Sequence, residues 1–254
     1  MTTTLQLAAA QALQCLDLTS LNDADTPADI EALCARAQTP FGPVAAVCVW
    51  PRFVAQARAL LPASIRVAAV ANFPAGDLDL ARALADVQEI ATAGGDEVDV
   101  VLPYRALMKG QTVECAEFLA EVRHATRPLT LKVIIESGEL LTPDLIAQGA
   151  RLALMAGADF VKTSTGKTKL SATPKAAAVI LHEIKVSGLG SAGFKASGGI
   201  RTVAEAQVYL QLFETYLGAA AIGPQRLRFG ASALLSDIES VLSGSAAVAT
   251  SSSY

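Results

Sequence analysis

Eight times along the chain a short run of apolar, often β-branched residues gives way to a stretch with helical spacing, and this alternation leaves few folds open. The runs lie at 16–19, 44–50, 65–71, 97–103, 129–136, 158–162, 193–199 and 227–230. A strand that is apolar along its whole length is buried on both faces, which a parallel sheet covered by helices provides. Eight such units within 254 residues fit a closed barrel better than an open doubly wound sheet. Neither a GxGxxG turn after the first run nor a Walker loop is present, and both absences weaken the open-sheet alternative. The expectation is an α/β chain folded as one (β/α)8 TIM-barrel domain over 1–242. A short helical extension at about 5–13 precedes it, and a flexible C-terminal tail, 243–254, follows.

Helix starts punctuate the runs. Thr26-Pro27, Thr142-Pro143 and Thr173-Pro174 each put a hydroxyl at the N-cap and a proline in the first turn, and Thr202 with Glu205 forms a capping box. Residues 93–101 and 156–164 echo each other: each places a helix-stopping glycine and then an aspartate (Asp96, Asp159) just before a strand. Hydrophobic residues make up 52% of the chain and aromatics only 5%, so the core is aliphatic and alanine-rich, as close packing of helices on a sheet requires.

The same composition excludes several kinds of function. A net charge of −4 with no basic patch argues against nucleic acid or membrane surfaces as partners. No apolar run reaches the roughly 20 residues of a membrane helix. The first residues lack the basic start of a secretion signal, and the four cysteines show no CxxC spacing, so reduced thiols in a cytoplasmic protein are expected. His124 and His182 each stand alone in a helical context, so no metal site is expected.

Charge appears where a barrel interior should be apolar. Side chains alternate along a strand, so Lys162 shares a face with Phe160 and Ser164, Asp99 with Glu97, Lys132 with Glu136, and Lys195 with Ser197. In a barrel these faces converge. Two lysines close together lower each other's pKa, and a lysine kept neutral is a nucleophile for carbonyl carbon, with an aspartate at hand to relay protons. A purely structural, mutually neutralising network of Asp99, Lys132, Lys162 and Lys195 is the alternative reading. Three late loops add a second signal: Gly166-Lys167, Gly198-Gly199-Ile200-Arg201 and Gly230-Ala231-Ser232. Glycine lets backbone N–H groups approach an anion, and the loops after the last barrel strands often hold phosphate.

Taken in order, Asp17-Leu-Thr, Glu97-Val-Asp-Val-Val-Leu-Pro-Tyr, Lys132-Val-Ile-Ile-Glu, Phe160-Val-Lys-Thr-Ser-Thr-Gly-Lys, Gly193-Phe-Lys and Arg228-Phe-Gly-Ala-Ser resemble the deoxyribose-phosphate aldolases, in the longer bacterial form that ends in tyrosine. The resemblance spans nearly the whole chain. It implies a class I aldolase, without metal or cofactor, that reversibly splits 2-deoxy-D-ribose 5-phosphate into acetaldehyde and D-glyceraldehyde 3-phosphate. Lys162 would carry the Schiff base, Lys195 would perturb it, and Asp99 would shuttle protons. Asp17, Thr19, Cys48, Thr165 and Tyr254 would meet the sugar. Gly166, Lys167, Gly198, Gly199, Gly230 and Ser232 would hold the phosphate. The implied partners are phosphorylated sugars and aldehydes; self-association as a homodimer is left open. Ala196, Ala233 and Trp50 depart from the family's usual proline, serine and tyrosine. A Schiff-base aldolase for another sugar phosphate, a cofactor-free isomerase and a non-catalytic sensor share enough of these features to remain as rivals.

Overall fold

The computed structural model of the chain describes residues 3–244. Of the tail expected at 243–254, residues 245–254, with Tyr254, lie outside the described residues. Eight strands form one closed, all-parallel barrel: β1 (Leu16–Thr19), β2 (Ala46–Val49), β3 (Arg66–Ala71), β4 (Glu97–Val101), β5 (Thr130–Ile134), β6 (Phe160–Lys162), β7 (Gly193–Ser197) and β8 (Leu227–Ala231). Each pairs with its sequence neighbours, and β8 closes onto β1. This is the (β/α)8 architecture that the alternation demands. Every strand falls within the expected run or within a residue of its ends, though most are shorter. Among the described residues no helix is long and apolar enough to cross a membrane.

The strands carry two different faces. Val98, Val100, Leu131, Val133, Val161, Phe194 and Phe229 point outward and are buried against the helices, as two-sided burial requires. The alternate positions point to the axis. The ladder aligns Asp99 with Lys132 across β4 and β5, Lys162 with Lys195 across β6 and β7, and Lys195 with Arg228 across β7 and β8. Partners in a parallel ladder share a face, so the register alone gathers these charges.

The expected caps are present. Thr142 and Thr173 accept from the N–H three residues on, and Thr26 and Thr202 form reciprocal boxes with Asp29 and Glu205. The internal echo has a structural meaning. Asp96 and Asp159 sit at the feet of β4 and β6, where each carboxylate accepts at 2.8 Å from a strand N–H, Val67 and Leu131 respectively. Arg58 and Arg123 clamp the same carboxylates at 2.9 and 2.8 Å.

Three small elements escape a reading by periodicity. A minimal hairpin, Gln38–Thr39 against Gly42–Pro43, leads into β2. Short helices Tyr104–Met108 and Ser137–Leu140 follow β4 and β5 directly. Each is too short to repeat a pattern.

Candidate active site

Seven ionisable side chains occupy the barrel axis, each at most 5% exposed: Asp17, Glu97, Asp99, Lys132, Lys162, Lys195 and Arg228. Asp99 is their hub. Its Oδ2 accepts from both Lys162 Nζ and Lys195 Nζ at 2.7 Å, and its Oδ1 from Lys132 Nζ at 2.8 Å. Lys195 also donates to Asp17, and Lys132 pairs with Glu97. Arg228 donates to Asp17 Oδ1 at 2.6 Å and to Glu97 Oε1 at 2.8 Å.

Burial penalises every one of these charges, and the partners decide which survive. For Asp17 the Lys195 ammonium and Arg228 guanidinium outweigh burial and hold the carboxyl well below the usual carboxylate range. For Asp99 the three lysines do the same. Lys132 is raised despite its burial, by Asp99 and Glu97, and Lys195 is raised by Asp17 and Asp99. Lys162 differs. Burial pulls its pKa down, Asp99 is its one carboxylate neighbour in the cluster, and the Lys195 ammonium pulls it further down. The expectation that the two lysines depress each other is therefore corrected. Lys195 keeps its proton because two carboxylates face it, and the depression falls on Lys162 alone.

Above the cluster, at the C-terminal rim, a cavity of about 300 Å³ is lined by Thr19, Thr165, Lys167, Gly199, Arg201 and Ser232, among others. Gly166, Gly198 and Gly230 line it as well. Gly198 takes a φ of +90°, and a Cβ there would lie 2.5 Å from the Ser171 side chain, so only glycine lets these two loops meet. Gly230 serves a different need. A Cβ on it would come within 2.7 Å of Ser197 Oγ and 3.0 Å of Lys195 Cε, so its lack of a side chain makes room for the lysine. The helix Leu234–Leu242 begins just past Ser232.

Two expected sugar contacts, like Lys162 itself, do not line this cavity. Asp17 is fully enclosed below the rim with both oxygens committed to Lys195 and Arg228, so it belongs to the charge cluster. Cys48 is likewise fully buried, its Sγ 4.0 Å from Asp99 Oδ2, and burial pushes its thiol up, away from the reactive thiolate. Ser164 is buried, and its hydroxyl has no hydrogen-bond partner among the described residues.

Glu136 has a larger part than its place on the β5 face suggested. It takes a left-handed conformation, φ 52° and ψ 57°, unusual for a residue with a side chain. That bend carries its carboxylate to the loop after β6. There it accepts from Thr165 Oγ1 at 2.6 Å, from Thr165 N at 3.3 Å and from Thr168 Oγ1 at 3.3 Å. Burial raises its pKa against the pull of these donors. Arg201 and Asn22, which both line the rim cavity, and Glu136 were not among the expected site residues. Arg201 was visible inside the Gly-Gly-Ile-Arg loop, whereas the turn that aims Glu136 leaves no trace in residue pattern.

A family model for DeoC/LacD family aldolases matches residues 11–237. The chain belongs to this family of aldolases. Its relatives include a deoxyribose-phosphate aldolase of Agrobacterium fabrum, 47% identical over 250 residues, a match covering 97% of this chain and 96% of that one. Among solved structures, a Toxoplasma gondii protein assigned as a deoxyribose-phosphate aldolase superposes with a TM-score of 0.85 at 25% identity, over 94% of this aldolase and 97% of that chain. A Coccidioides immitis protein with the same assignment gives 0.79 at 30% identity, over 91% and 87%. The tetrameric deoxyribose phosphate aldolase of Aeropyrum pernix, at 24% identity and a TM-score of 0.71 over 93% and 96%, shares the fold.

Proposed function

We infer that this aldolase reversibly cleaves 2-deoxy-D-ribose 5-phosphate to acetaldehyde and D-glyceraldehyde 3-phosphate through an imine on Lys162. The observation that carries the reading is the asymmetry of the cluster. Lys162 alone among the buried lysines is depressed, and it lies 2.7 Å from the carboxylate oxygen that also holds the protonated Lys195. A neutral amine adds to the C1 aldehyde of the open-chain sugar, and the carbinolamine then loses its hydroxyl as water. In this reading Lys195 protonates that leaving hydroxyl, and Asp99, which keeps its negative charge, holds both amines in line. The protonated imine draws the electrons of the C2–C3 bond as the C3 hydroxyl passes its proton to the Lys195 amine left neutral by the dehydration, which releases glyceraldehyde 3-phosphate and recharges Lys195 as the proton donor for C2. Protonation of the resulting enamine at C2 and hydrolysis of the imine free acetaldehyde and restore Lys162.

The rim cavity suits the phosphate. Lys167 and Arg201 supply two cations, and the glycine loops, with a helix start beyond Ser232, supply backbone N–H donors. Thr19 and Thr165 line the same cavity beside them.

Borohydride reduction with acetaldehyde tests the imine directly. The expected product is one ethyl group on the Lys162 peptide. An unmodified protein would exclude the imine and leave a proton-transfer isomerase as the better reading; a modified Lys132 or Lys195 would reassign the nucleophile.

Glu136→Ala tests the loop. It leaves the Thr165 N–H and hydroxyl without their acceptor, which corresponds to a rise in KM for the phosphorylated sugar of about tenfold or more. Trapping of acetaldehyde, which has no phosphate, is expected to stay near wild type. Equal losses in both assays would show that Glu136 does not act through the phosphate loop.

A further inference from the structure

We propose that Arg228, at the N-terminal end of the barrel and away from the substrate, is a positioning residue for this chemistry: its fixed charge completes the set of cations that three buried carboxylates require, so that Lys162 is the group left as a free amine. The inference rests on the imine reading above and concerns how the amine is kept neutral.

The count follows from the groups that face Lys162 on every strand. Asp17 comes from β1, Cys48 from β2, Glu97 and Asp99 from β4, Lys132 from β5, Lys195 from β7 and Arg228 from β8; β3 contributes only Ala68 and Val70. Glu136, just past β5, is near enough to sense the Lys162 charge, but its oxygens are taken up by Thr165 and Thr168 and reach no lysine of the cluster at hydrogen-bond range. Three carboxylates thus face four potential cations. A surplus charge sealed from water is shed where a proton can leave. Arginine does not release its proton. Lys132 and Lys195 each contact two carboxylates at hydrogen-bond range, whereas Lys162 contacts one. Lys162 is therefore the group that gives its proton up.

Arg228 is fixed in this role by its contacts. Its guanidinium spans Asp17 and Glu97 and packs over the Phe160 ring, 5.5 Å from the centroid. It borders a cavity of about 990 Å³ that opens at the N-terminal end of the barrel, opposite the rim cavity. Without Arg228 the count becomes three against three, no surplus remains, and Lys162 keeps its proton.

The test is the pH dependence of acetaldehyde trapping and of kcat/KM in four proteins: wild type, Arg228→Met, Arg228→Lys and the double variant Arg228→Met/Glu97→Gln. In Arg228→Met the ascending limb is expected to move alkaline by about one pH unit or more, a loss of about tenfold at pH 7 that recovers at high pH. KM for the phosphorylated sugar should not move. Arg228→Lys should keep the wild-type limb. The double variant, with two carboxylates against three lysines, again has a surplus cation and should return toward wild type. A limb in Arg228→Met that coincides with wild type, or a double variant as alkaline as Arg228→Met, overturns the proposal. Should Arg228→Met fail to fold, Glu97→Gln alone decides: its limb should hold or move acid, and an alkaline shift would refute the charge count. A wild-type protein that traps no acetaldehyde would instead sink the imine reading itself.

Discussion

Lys162→Met is expected to remove turnover of deoxyribose 5-phosphate while leaving the protein folded and at least as stable as wild type. The loss in kcat/KM should be on the order of 10⁴-fold or more, because no other group in the cluster offers a neutral amine. The stability expectation follows from linkage. Lys162 has a folded-state pKa below its unfolded value, so between the two the unfolded chain binds more protons, and folding is penalised at neutral pH relative to alkaline pH. Methionine carries no such penalty and fills a similar volume. Asp99 remains satisfied, since Lys132 at 2.8 Å and Lys195 at 2.7 Å still reach it. Thermal melts and mass-detected trapping check both halves. A variant that melts well below wild type would mean that the lysine contributes to the fold, and the mutually neutralising network would regain weight.

Lys195→Met should lose about 10²- to 10⁴-fold in kcat/KM at pH 7, for two separable reasons. The proton donor beside the carbinolamine is gone. In addition, Asp17 and Asp99 lose a shared cation, so Lys162 takes up the missing positive charge and stops being a nucleophile. The second loss is reversible by pH and the first is not. Trapping with acetaldehyde is therefore expected to recover above about pH 9 as Lys162 is titrated, with kcat for the sugar still low. A variant whose trapping is normal at pH 7 would show that Lys195 does not govern the state of Lys162. Because Asp17 Oδ2 is left buried with only the Lys132 ammonium nearby, 3.7 Å away and beyond hydrogen-bond range, this variant should also melt lower, by a free energy of up to about 3–5 kcal/mol.

Much of the fold was legible because its strongest determinant, two-sided burial of parallel strands, writes itself as continuous apolar runs. The reading worked for β2, β3 and β4 because Pro51, Asn72-Phe73-Pro74 and Pro103 close those runs. It failed for the Tyr104–Met108 and Ser137–Leu140 helices, whose four or five residues cannot display a period. At the site, alternation put Asp99, Lys132, Lys162 and Lys195 on inward faces, and the register confirms that they converge. What alternation could not supply was depth. Asp17 and Thr19 are two residues apart on one strand, yet one is sealed in the cluster and the other lines the rim cavity. Nor could residue types distinguish three buried lysines, because the distinction lies in how many carboxylates each one touches. Alternation put Glu136 on the Lys132 face but could not aim it at the Thr165 loop, since a left-handed backbone turn is a property of packing and is rarely encoded by glutamate.

The amines are borne on β6 and β7, in the hydrogen-bonded ladder, whereas the cations and N–H groups of the rim cavity are borne on loops after β6, β7 and β8. The two parts therefore vary under different constraints. A loop can change length or side chains without moving a ladder residue, so the carbon skeleton accepted at the rim can drift while the bond-breaking apparatus stays intact. An aldolase built this way is evolvable in one direction only. New acceptors are reachable by small steps at the rim, whereas any change on the axis must rebalance several buried charges at once.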